Sequence, residues 1–169
     1  MSLFGKSLSE YVRFQRPILG LILIVALARL SLSLAGVSNS VVKYFSVTAA
    51  CALGLVLCSI LVHTRSFGSY KQLLVLIGLQ SITAQVLSAA AIALAIVTGH
   101  DNIFSAPEYS GGGDGKTWGH AGAHLVLATT FLTVIGWAIG SLILYIAKKS
   151  DPRPQLTETP RARSKSAGK

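Results

Sequence analysis

The sequence predicts an all-α, polytopic membrane protein: a four-helix transmembrane bundle with both termini cytoplasmic. Three observations predict it. Of 169 residues, 51% are hydrophobic and only 12% are charged, about half the charged share of an average soluble domain. The apolar residues fall in four blocks, 17–36, 41–62, 73–97 and 125–146, each near the roughly 20 residues that cross a hydrocarbon core. The basic residues gather on alternate connections, as the positive-inside rule requires. No block alternates with period two, which excludes a β-barrel pattern, and backbone groups in lipid must be satisfied within the segment, so the blocks are helices.

Residues 1–16 form a cytoplasmic N-terminal segment carrying Lys6, Arg13 and Arg16. The first block could be a cleaved signal, since "SLA" at 33–35 is a small-residue motif. Its length and its Arg29 instead make it a span over 17–36. Arg29 is the most expensive side chain in the blocks, about 2.5–3.5 kcal/mol at mid-membrane on the insertion scale. It lies twelve residues past Pro17, about 18 Å along a helix, toward the outer face. Two placements are open: snorkelling to the outer headgroups, or facing the bundle, where Gln80 and Gln85 are the acceptors and Ser31 or Ser88 assists. No acidic residue lies in any block, which argues against ion-coupled transport.

The second span, 41–62, carries Ala50, Gly54 and Cys58 at helical spacing, a small-residue strip for close packing. Cys51 and Cys58 are seven residues apart on one helix, about 10 Å, too far for a disulfide. The connection that follows holds Arg65 and Lys71. The third span, 73–97, repeats the small strip with Ser81, Ala84, Ser88, Ala91 and Ala95.

The connection 101–119 is external. It ends in "WGHAGAH", which puts His120 and His124 on one helical face. With His100 or Asp101 they provide the ligand count of a zinc site. Histidine and tryptophan also mark the headgroup level, and that reading, with no metal, is preferred. Facing histidine pairs deep in the bundle are absent, which excludes haem. The "GGGDG" stretch reads as a flexible loop.

The fourth span, about 121–147, carries Thr129, Thr133, Gly136 and Gly140 along one face, with Gly136 and Gly140 forming GxxxG. Packing within one bundle is the preferred use, and a homo-oligomer the other. The tail, 148–169, is basic and poor in apolar residues, so it is expected to be disordered. Lys148, Lys149 and Arg153 are placed to contact anionic lipid, about 1 kcal/mol per residue near the surface. Phosphorylation of Thr157, Thr159, Ser164 or Ser166 would weaken that contact. The net charge of +9 is thus juxtamembrane and does not imply nucleic acid. No nucleotide-binding loop, Ser–His–Asp order or zinc-protease pattern is present, so neither an enzyme nor a cofactor is expected.

The layout of four spans, cytoplasmic termini, a short first loop and a longer second external loop resembles the MARVEL-type tetraspan membrane proteins, especially small fungal members. The likeness covers about 16–149 and is strongest in "QVLSAAAIALAIVTGH" and "HLVLATTFLTVIGWAIGSLILYI". Arg29 is similar to the first-helix Arg of Casparian-strip-type membrane proteins. Their third-helix Asp has no counterpart here, where Gln80 and Gln85 stand instead. The resemblance implies a non-enzymatic role in the plasma membrane or secretory pathway: organising microdomains, shaping apposed membranes or accompanying vesicle cargo. The alternatives are a small channel or transporter subunit using Arg29, Gln80 and Gln85, and an external metal-binding module.

Overall fold

The computed structural model describes residues 2–110 and 112–150; the tail beyond Ser150, including Arg153, lies outside the described residues. Four helical stretches are long and apolar enough to cross a membrane: Arg16–Leu34, Asn39–Thr64, Tyr70–Thr98 and Trp118–Ser150. They run up and down, so the N-terminal segment and Ser150 share one end of the bundle, the terminal end. The long connection covers the other, the loop end.

The N-terminal segment is ordered. Strands β1 (Ser2–Leu3) and β2 (Lys6–Ser7) form an antiparallel hairpin. Phe4 and Gly5 both have positive φ, 49° and 83°, as a two-residue hairpin turn of the right twist demands. Helix α1 (Leu8–Phe14) follows, opened by a capping box in which the Ser7 hydroxyl accepts from the Glu10 N–H and the Glu10 carboxylate accepts from the Ser7 N–H. These bonds hold the Glu10 carboxyl below its ordinary value. Burial pushes the Tyr11 phenol up; its hydroxyl donates to Leu3 O at 2.9 Å.

The spans begin and end where local chemistry allows. Helix α2 (Arg16–Leu34) has Pro17 in its first turn, where a missing N–H costs nothing. The second span is interrupted: α3 (Asn39–Val42) stops, and α4 (Val47–Thr64) restarts behind Ser46, whose hydroxyl accepts from Ala49 N–H at 3.2 Å. Helix α5 (Tyr70–Thr98) is longer than the apolar block. Its first turn is held by Gln72, whose Oε1 accepts from Ser69 N–H at 2.8 Å while Nε2 donates to Phe4 O at 2.9 Å. It closes on Gly99 in the left-handed region (φ 73°). The fourth span starts as α6 (Trp118–Ala123), capped by Thr117. It passes through a π-helical turn, His124–Ala128, and continues as α7 (Thr129–Ser150).

Helix α5 packs against α2, α4 and α7, and the core lies around it: Ile18 and Ile22 of α2, Cys58 and Val62 of α4, Leu73, Leu76 and Ala84 of α5, Leu144 of α7. Lipid tails give helices no hydrophobic reason to associate, so close approach matters. A Cβ on Gly54 would lie 2.5 Å from Ile18 Cγ2 and 2.6 Å from Gln80 Oε1. One on Gly140 would lie 2.9 Å from Ser59 Oγ, and one on Gly136 3.0 Å from Ile77 Cγ2. Thr133 meets Gly78 of α5. Large side chains such as Ile24, Leu127 and Phe131 face outward, each about two-thirds exposed, as a lipid-facing surface would be.

Candidate functional site

Among the described residues, polar side chains inside the bundle gather in three groups, apart from single serines such as Ser59, Ser81 and Ser88. The first joins three elements near the terminal end. Gln80 of α5 donates from Nε2 to Gln15 Oε1 at 3.0 Å and to Cys58 Sγ of α4 at 3.3 Å; the Cys58 thiol donates to the same Gln15 oxygen at 3.7 Å. Gln15 is 0% exposed and Gln80 2%, and Gln15 Nε2 is buried without a partner. Buried amides are costly unless paired, so this contact fixes the register of α2, α4 and α5 together. Sequence reasoning assigned Gln15 to the cytoplasmic segment and missed it. The one available signal is that Gln15 directly precedes Arg16–Pro17, where the helix starts.

The second group lies toward the loop end. His124, set by the π-helical turn, meets Gln85 of α5 through Nδ1 and Gln85 Oε1. The amide oxygen accepts, so Nδ1 carries the proton. His120 Nδ1 donates to Gly115 O at 2.9 Å, and the two imidazole rings are 4.9 Å apart. His124 therefore does more than mark the start of a span: it ties the π-helical turn of the fourth span to α5. His100 is exposed at the end of α5. Among the described residues no three His, Cys, Asp or Glu side chains stand close enough to share a metal ion.

The third group is Arg29 with the connection at the loop end. The structure brings Arg29 to neither glutamine. Its guanidinium lies 5.2 Å from the Phe104 ring and 5.5 Å from the Tyr109 ring, and its Nε is buried without a hydrogen bond. Cation–π contact of this kind contributes about 0.5–2 kcal/mol depending on desolvation. The rings are held there because the loop is folded. Asn102 Nδ2 donates to Ala91 O at 2.7 Å, Asn102 Oδ1 accepts from Phe104 N–H at 2.9 Å, and Ile103 N–H donates to Ser33 Oγ at 2.8 Å. Lys116 pairs with Asp101 at 3.0 Å. Gly115 presses on the Ser105 backbone so closely that a Cβ would overlap it. The glycines that read as a flexible loop thus include one that permits close backbone contact.

Of the remaining expected residues, Ser88 is buried and its hydroxyl donates to Ala84 O at 3.0 Å. Gly54, Gly136 and Gly140 lie at helix contacts within the bundle. Lys148 sits 4.6 Å from the Tyr70 ring centre, and Lys149 is exposed. Cys51 and Cys58 are both free thiols.

The arrangement defines a class: a multi-pass membrane protein built as a four-helix bundle with buried amide contacts. Comparison with protein-family models, with curated proteins and with solved structures finds no match.

Proposed function

We propose that the protein works by assembly in the bilayer, organising membrane microdomains, membrane apposition or vesicle cargo without catalysing a reaction. The observation that carries this reading is the exposure of the fourth span. Only 11% of its apolar window is buried in the bundle, against 44% for α5, so a broad face of α7 with Phe131, Val134 and Leu142 is free for lipid or for other membrane proteins. The resemblance to MARVEL-type tetraspan proteins points the same way. In this reading both termini are cytoplasmic in the plasma membrane or a secretory-pathway membrane, and Lys148, Lys149 and Arg153 hold anionic lipid. A channel or transporter needs a connected polar path, and Arg29, Gln80 and Gln85 sit in three separate contacts.

Energy transfer between donor- and acceptor-labelled copies in liposomes tests the proposal. Transfer above the random level at high lipid-to-protein ratio is expected, and Phe131→Ala/Leu142→Ala lowers it while helicity is unchanged. Wild-type transfer at the random level overturns it.

A further inference from the structure

Helices α4, α5 and α7 do not close on one another along their whole length. They leave a cavity of about 240 Å³ at mid-span, where Ser81, Ala84 and Gln85 of α5, Ala52 of α4 and Gly136 of α7 form part of the wall. The small side chains that permit close packing elsewhere here leave a void. Ala52 and the α7 residues Leu132 and Ile135 at its edge are exposed, so it opens sideways onto the lipid-facing surface. No charged side chain lines it.

Two buried side chains of the wall, Ser81 and Gln85, carry hydrogen-bond donors with no protein partner among the described residues. Ser81 is 6% exposed and Gln85 7%. The Gln85 oxygen is engaged by His124, but among the described residues neither its Nε2 nor the Ser81 hydroxyl has a hydrogen-bond partner. The two residues are four apart on α5, so they share a face. The hydrocarbon core supplies no water to satisfy them. Both can donate, and a carbonyl oxygen has two lone pairs to accept both.

We propose that this cavity binds a neutral lipid that carries an uncharged carbonyl on an apolar body, the carbonyl oxygen accepting from Ser81 and Gln85. A phosphate or carboxylate head is excluded because the wall offers it no cation. Gln85 stands fifteen residues from Tyr70 and thirteen from Thr98, about 20 Å from either end of α5. The carbonyl must therefore lie deep in the bilayer, as in a diacylglycerol or a prenyl quinone. The site is independent of the assembly role.

The test uses the full chain in nanodiscs of ether-linked phosphatidylcholine, whose lipids carry no ester carbonyl to compete. Three diazirine probes are added separately: a diacylglycerol, a prenyl quinone and a carbonyl-free hydrocarbon. Saturable labelling of the cavity wall by the diacylglycerol, by the quinone or by both is expected, and the pattern names the source. Ser81→Ala should weaken it roughly fivefold, the effect of one hydrogen bond. Ala52→Leu, at the exposed edge where folding is tolerant, should block it. Labelling no stronger than with the hydrocarbon probe, or unchanged in Ser81→Ala, overturns the proposal.

Discussion

Gln80 holds partners on two other elements, so its replacement has consequences beyond its own helix. Gln80→Leu removes the amide donor to Gln15 Oε1 and leaves that buried oxygen only the weak Cys58 thiol, at a cost of about 1–3 kcal/mol. The thermal midpoint in detergent is expected to fall, and an unchanged midpoint would show that the Gln15–Cys58–Gln80 contact is idle. Gly54→Val should be at least as damaging, because its first added carbon already meets Ile18 and Gln80. The sequence marked Gly54 and Gln80 as notable but not as neighbours. Spacing reveals which face a residue occupies, whereas the partner across the interface depends on helix register. For the same reason Arg29 was legible as costly, but its cover by Phe104 and Tyr109 was not. At the terminal end, Glu10 gives a pH signature. Its carboxyl titrates below the ordinary 4.5 because Ser7 donates to the ionised form. That stabilisation is present above the ordinary value and is lost as pH falls through the lowered one. Amide exchange in α1 should quicken there, and Glu10→Gln should make it insensitive to pH over that window.

Elements were legible where apolar length alone decides them. Four apolar helical stretches follow from block length and from the absence of alternation, although α2 stops at Leu34, short of its block, and the second block is broken between Val42 and Val47. Their ends depended on single side chains. Ser46 delays α4 to Val47, and Gln72 starts α5 three residues before the block. The π-helical turn at His124–Ala128 has no periodic signal. The N-terminal hairpin and α1 carry too few residues for periodicity, although Ser7 and Glu10 have the spacing of a capping box. Only the GGGDG stretch was read as a flexible loop; the connection around it is a folded cover of the loop end, pinned by Asn102 to α5 and by Ile103 to α2. Asn102→Ala removes the donor to Ala91 and the acceptor for Phe104. Hydrogen exchange of the 102–105 amides should rise at least about tenfold, since two hydrogen bonds of about 0.5–1.5 kcal/mol each are lost. Exchange at the wild-type rate would mean that the loop is held by other contacts.

At the scale of the molecule, the bundle combines an apolar exterior with few polar contacts, which suits life in lipid more than solution chemistry. Up-and-down connectivity puts the N-terminal hairpin and Ser150 at one end and the 101–117 connection at the other. The central claim is that the four helices each cross the bilayer once. Its most direct measurement is thiol labelling in sealed vesicles with a membrane-impermeant maleimide, using Asp114→Cys and Ser150→Cys separately. Cys58 is buried, and Cys51 lies within a span. The account predicts that one engineered thiol labels in intact vesicles and the other only after the vesicles are opened. Labelling of both from the same side of an intact vesicle would contradict it.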